Sequence, residues 1–160
     1  MFAHGPQGVI DAQPAPVEVE FLRALVDVLD IRYAIETGCY HGTTAAAIGR
    51  TLSTSGWLDT MDTDEYSVGL ARQECVGLPV GVHHCSSLDF TPDCPVDLLF
   101  VDGDPALRGA DLAHFAPHMV PLGLAVVHDA KHLAFKADDL GGWDWVNLPT
   151  PRGMLLLQRG

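Results

Sequence analysis

The run Glu36-Thr37-Gly38-Cys39-Tyr40-His41-Gly42 joins an apolar stretch, Tyr33-Ala34-Ile35, to an alanine-rich one, Thr43-Thr44-Ala45-Ala46-Ala47-Ile48. It restricts the fold more than any other segment, because it reads as strand, tight loop and helix in that order. Gly38 can take a positive φ to turn the chain, and Gly42 lets the helix start lie close to the strand or to a bound ligand. The spacing Glu-x-Gly-x-x-x-Gly differs from the Gly-x-Gly-x-x-Gly of dinucleotide binders, which sets an NAD-dependent oxidoreductase aside.

The rest of the chain repeats that alternation. Residues 1–16, rich in Gly, Pro, Ala and Gln, read as a loose arm, with Pro16 suited to open a helix. Leu22, Leu25, Val26 and Leu29 recur at helical spacing over Val17 to Asp30. Strands are expected at about Arg32–Thr37, Trp57–Asp62, Pro79–Cys85, Val96–Val101 and Leu122–Val127. Helices are expected at Thr43–Leu52, Glu65–Cys75, Ala106–Met119 and Lys131–Leu140. Trp143–Leu148 and Met154–Gln158 are strands with a connector short enough for an antiparallel hairpin. The pattern predicts one α/β domain over residues 17–160: a Rossmann-like, doubly wound, mostly parallel seven-stranded sheet ending in that hairpin. A chain of 160 residues can bury about 70% of its unfolded surface, enough for one core.

In such a sheet, ligands gather at the carboxyl ends of the strands. Those ends carry Glu36, Gly38 and Gly42, then Asp62, then Ser86 and Ser87, then Asp102-Gly103-Asp104, then His128-Asp129. Asp62 stands where an acidic side chain grips ribose hydroxyls in βαβ nucleoside sites. The net charge of −12 repels phosphate backbones and anionic lipid, so neither nucleic acid nor membrane is the expected partner. No apolar stretch approaches a membrane span and no signal peptide is evident, which makes the cytoplasm the expected compartment. Four widely spaced cysteines form no Cys-x-x-Cys pair and read as free thiols. His83 and His84 alternate across a strand, and Trp143 and Trp145 share a face of another, so packing explains both pairs.

Ile35-Glu36-Thr37-Gly38, Met61-Asp62, Asp97-Leu98-Leu99-Phe100-Val101-Asp102-Gly103-Asp104 and Val126-Val127-His128-Asp129 resemble, in order and spacing, the class I S-adenosylmethionine (SAM) dependent methyltransferases. The nearest likeness is to the small catechol O-methyltransferase-like bacterial group, and it runs from about Val17 to Gln158. The resemblance implies that Glu36, Gly38, Gly42 and Thr43 floor the methionine side of a SAM site. It implies that Asp62 holds the ribose and that Ser86 and Ser87 lie near the adenine. Asp102, His128 and Asp129 match the ligands of a divalent ion in metal-dependent relatives, with Asp102 and His128 at the centre of catalysis. Oxygen ligands suit Mg²⁺, and His128 tilts the choice toward Mn²⁺ or a softer ion. The implied reaction is O-methylation of a small hydroxylated molecule.

Pro105 departs from the pattern, since relatives carry His or a catalytic Lys there. Asp104, His128, Lys131 and His132 are the substitutes in reach. Without the familiar base, a non-catalytic SAM-binding domain is the alternative. A second alternative is a nucleotide-sugar glycosyltransferase using Asp102-x-Asp104 on a metal. With no lid evident beyond the first sixteen residues, substrate binding calls for an open cleft or a partner subunit, hence a homo-oligomer.

Overall fold

Pro16 opens α1 (Pro16–Val28), where its missing N–H is harmless, and Glu18 caps the helix by accepting the Ala15 N–H at 2.7 Å. A computed structural model of the chain describes residues 13–132 and 139–160. After α1 come β1 (Tyr33–Thr37), α2 (Thr43–Thr51), β2 (Trp57–Asp62), α3 (Glu65–Glu74), β3 (Val80–His84), β4 (Val96–Val101) and α4 (Arg108–Phe115). The chain closes with β5 (Met119–His128), β6 (Trp143–Leu148) and β7 (Met154–Arg159).

The strands form one seven-stranded sheet in the order β3-β2-β1-β4-β5-β7-β6. β1 to β5 are parallel, and β7 enters antiparallel between β5 and β6. This is the doubly wound, Rossmann-like architecture expected, with its terminal hairpin. β1 is buried along its whole length and β4 nearly so, because both lie in the middle of the sheet with helices on each face. Leu22, Val26, Ala45 and Ile48 pack on one side, and Leu112 and Phe115 on the other with Leu99, Val127 and Leu155. The strand order reverses between β1 and β4, which opens a crevice above their carboxyl ends.

Two boundaries differ from expectation. The helix expected to reach Met119 stops at Phe115, and a 3₁₀ turn over Ala116–His118 follows. Pro117 has no N–H to continue the ladder. β5 then starts at Met119 rather than Leu122. Its pairing jumps from Val96↔Met119 to Leu98↔Leu124, which accommodates Pro121 and the positive φ of Leu122. Of the helix expected over Lys131–Leu140, a 3₁₀ turn at Ala130–His132 is seen, and residues 133–138 lie outside the described residues.

Candidate functional site

Above the carboxyl ends of β1 to β4 lies a cavity of about 230 Å³. Gly38 and Tyr40 line it from the β1 loop, Asp62 from β2, Ser86 and Ser87 from β3, and Asp102, Gly103 and Asp104 from β4. A smaller recess adjoins it, walled by Gln13, Pro14, Glu36, Thr43 and Thr44. Gly38, Tyr40 and Asp102 border both spaces.

Gly38 has φ +83°, and a Cβ there would stand 2.6 Å from the Cα of Gly103. The loops after β1 and β4 therefore touch backbone to backbone. Gly42 also has φ +83°, but what presses on it is α3: an added Cβ would meet the Ala71 Cα at 2.7 Å. Its lack of a side chain serves helix packing, and Gly42 borders neither cavity.

Asp62 is fixed by two backbone donors, the Tyr40 N–H at 3.1 Å and the Asp64 N–H at 3.0 Å. Glu36 is buried, accepts the Thr60 hydroxyl at 2.5 Å, and has its pKa pushed up to about 8 by burial. Ser86 caps the 3₁₀ turn that follows it by accepting the Leu88 N–H. The Ser87 hydroxyl donates to Asp111 Oδ1 at 2.6 Å, and Thr37 donates to the other oxygen of Asp111 at 3.1 Å. Thr43 is exposed at the rim of the recess. Tyr40, in the loop after β1, and Asp129, directly after β5, both hold positive φ without being glycine.

Behind Asp102 the chain buries a line of charges. His128 is fully enclosed, with Nδ1 2.7 Å from Asp102 Oδ1 and Nε2 3.1 Å from Glu18 Oε2. Burial alone would lower the imidazole pKa, but the hydrogen bond and charge of Asp102, then Glu18, hold it above the usual value. Glu18, equally buried, also accepts the Thr150 hydroxyl at 2.6 Å and the Arg152 N–H at 3.0 Å. Burial would raise its carboxyl, yet these donors together hold it below its usual range. His128 thus reaches neither cavity; it holds Asp102 from behind.

Two arginines complete the cluster. Arg152, in the turn between β6 and β7, grips Asp129 with Nε at 2.6 Å and Nη2 at 2.8 Å, and donates through Nη1 to the Gln13 carbonyl at 3.1 Å. Arg108 is 2% exposed and donates to the carbonyls of His128 at 2.7 Å and Gly103 at 3.3 Å. Its Nη2 lies 3.6 Å from Asp129 and 4.0 Å from Asp102.

Glu18, Arg108, Asp111 and Arg152 were not among the expected site residues. Three of them left a trace in the sequence. Glu18 precedes Leu22 and Val26 at intervals of four, and Arg108 and Asp111 share a helical face with Leu112 and Phe115. A charge on an apolar stripe is a charge that will be buried. Arg152, in a five-residue connector, left no such trace.

The expected ion ligands do converge: one ligand atom each from Asp102, His128 and Asp129 lie within 4.8 Å of one another. The donor set nevertheless fits a divalent ion poorly. Both ring nitrogens of His128 face carboxylates, and both oxygens of Asp129 accept from Arg152. Among the described residues, the buried side-chain polar atom without a partner is the Nε–H of Arg108, a hydrogen-bond donor rather than a lone pair.

A family model described as "Methyltransferase domain" matches residues 35–130, more than half of the chain. A comparison with curated proteins finds no match. Among solved structures, an O-methyltransferase from Bacillus cereus in complex with SAH superposes with a TM-score of 0.83 at 17% identity, covering 94% of this chain and 84% of that one. The SAH-bound methyltransferase PaMTH1 of Podospora anserina gives 0.82 at 14% identity, with 94% and 81% covered. The O-methyltransferase TomG of Streptomyces achromogenes, involved in tomaymycin synthesis and solved with SAM, gives 0.78 at 16% identity, with 94% and 82% covered.

Proposed function

The chain belongs to the Methyltransferase domain family and has the class I fold of SAM-dependent enzymes, and we propose that it transfers the methyl group of SAM to an oxygen of a small hydroxylated molecule. One observation carries this reading. The loops after four adjacent parallel strands line a single cavity, and every charged side chain in its lining is a carboxylate: Asp62, Asp102, Asp104 and Asp111. SAM is a cation at sulfur and at its ammonium, so a carboxylate-lined cleft complements it. Asp62, already oriented by the Tyr40 and Asp64 amides, keeps a carboxylate toward the cavity for a ribose diol. Ser86 and Ser87 border the adenine end, and Glu36 and Thr43 the methionine end in the adjoining recess.

SAM held by these residues would supply an electrophilic sulfonium methyl to an acceptor oxygen aligned with the C–S bond, with the SAH thioether as its leaving group. Such a transfer needs the two reacting groups aligned and water excluded. The hydroxyl proton must go to a base. Asp102 borders both spaces and is steadied from behind by His128, which supports Asp102 in that role and His128 as its positioning residue. Asp104 is turned to the Ala106 N–H at 2.9 Å, and Lys131 to the Pro151 carbonyl at 2.7 Å, so neither is held toward the reacting centre. Asp102 and Asp104 line the same cavity but pair differently, Asp102 with His128 and Asp104 with the Ala106 N–H.

Calorimetric titration with SAH is the test. Binding is expected, and Asp62→Ala should weaken it by at least about tenfold, since it removes a charged acceptor of two hydrogen bonds. SAH at 100 times its Kd should also add about 2.7 kcal/mol of stability. No binding, and no thermal shift with SAM or SAH, would overturn the reading. Binding without transfer to any of a panel of catechols, phenols and sugars would identify a non-catalytic SAM-binding domain instead.

A further inference from the structure

We propose that this chain needs no divalent ion, because the guanidinium groups of Arg152 and Arg108 occupy the electrostatic role an ion would have between Asp102 and Asp129. The inference rests on the methyltransferase reading for its functional meaning, but its structural content stands apart from it.

A metal ligand must offer a lone pair. His128 offers none while Nδ1 faces Asp102 and Nε2 faces Glu18. Asp129 already holds a cation, since Arg152 makes a two-pronged contact at 2.6 and 2.8 Å that matches guanidinium to carboxylate on both oxygens, and an ion there would have to compete with it. The second cation, Arg108, lies within 4.0 Å of both carboxylates and is 2% exposed, so it cannot swing into water to make room. A divalent ion here would sit against two fixed positive groups in a poorly solvated place, where like charges repel most strongly. The unpartnered Nε–H of Arg108 is complementary to an anionic or carbonyl oxygen, the opposite of what a cation offers.

Arg152 does more than neutralise Asp129. Its third contact, to the Gln13 carbonyl, ties the segment ahead of α1 to the end of β5, and Gln13 and Pro14 wall the recess beside Glu36. Arg152 is therefore a positioning residue for the methionine end of the cleft, acting through Asp129 and Gln13.

The experiment is a titration of the full chain with Mn²⁺, read by the paramagnetic resonance of the free ion, with and without SAH. The wild-type protein is expected to show no saturable one-equivalent binding tighter than about 1 mM. Its uptake should be indistinguishable from that of Asp129→Asn. Arg152→Ala, checked for folding by circular dichroism, should raise Mn²⁺ affinity by at least about tenfold by exposing Asp129, and Arg152→Lys should not. A role in packing alone would not create a Mn²⁺ signal. SAH binding should be unchanged by EDTA.

Saturable Mn²⁺ binding by the wild type that disappears in Asp129→Asn would overturn the proposal. So would SAH binding that EDTA abolishes and Mn²⁺ restores, or a folded Arg152→Ala that gains no Mn²⁺ affinity. If SAH fails to bind under every condition, the methyltransferase reading falls while the Mn²⁺ titration still decides this one.

Discussion

Glu36 and Gly38 stand two residues apart in one loop, yet their substitutions should fail for unrelated reasons. At Gly38 the obstacle is steric. A methyl group there would overlap the Gly103 backbone at 2.6 Å and force a left-handed φ on an L-residue. Gly38→Ala should therefore destabilise the fold by more than about 2 kcal/mol in urea unfolding. At Glu36 the effect is electrostatic. Its folded pKa of about 8 lies above the ordinary carboxyl value because burial disfavours the charge. The folded state thus holds a proton that the unfolded chain releases, so this group favours folding at low pH and loses that contribution as pH rises toward 8. Stability should decline by about 1.4 kcal/mol per pH unit across that window, and Glu36→Gln should flatten the slope. A slope unchanged by Glu36→Gln would show that other groups set it.

At the level of elements, α1 and the β6–β7 turn are remote in sequence but meet on one carboxylate. Glu18 takes donors from Ala15, His128, Thr150 and Arg152, so the helix, the end of β5 and the hairpin turn share a single buried acceptor. Glu18→Ala would strand all four donors and leave His128 facing no carboxylate on that side. The expected loss is about 3–5 kcal/mol, with amide exchange in α1 accelerating before that of β1 and β4. Because the Glu18 pKa is held below its usual range, its contribution is present above the ordinary carboxyl value and is lost as pH falls through the lowered one. Acidification should therefore release α1 first, visible as early α1 exchange. Uniform exchange across the sheet and α1 would contradict this.

For the whole molecule, a net charge of −12 on 160 residues leaves the folded state under self-repulsion. Raising NaCl to about 0.1 M, where the screening length is about 10 Å, should raise the melting temperature. A fall would mean that the Arg152 and Arg108 pairs, which salt also weakens, dominate the balance. Among the described residues, no helix is long and apolar enough to cross a membrane.

Local sequence was enough for the strand–loop–helix junction at Gly38, the alternation of elements and the terminal hairpin, because each rests on short-range periodicity and turn chemistry that neighbouring residues set between them. The candidate residues at the strand ends were legible for the same reason: a parallel sheet puts those ends together whatever the rest of the chain does. The sequence missed what depends on distant partners. Arg152 reaches Asp129 across 23 positions and Glu18 reaches Arg152 across 134, separations over which no pattern in the chain carries information. The Asp-His-Asp grouping therefore read as an ion site from the sequence. Only the folded arrangement, which brings two guanidinium groups and a buried glutamate against it, gave both His128 nitrogens and both Asp129 oxygens protein partners.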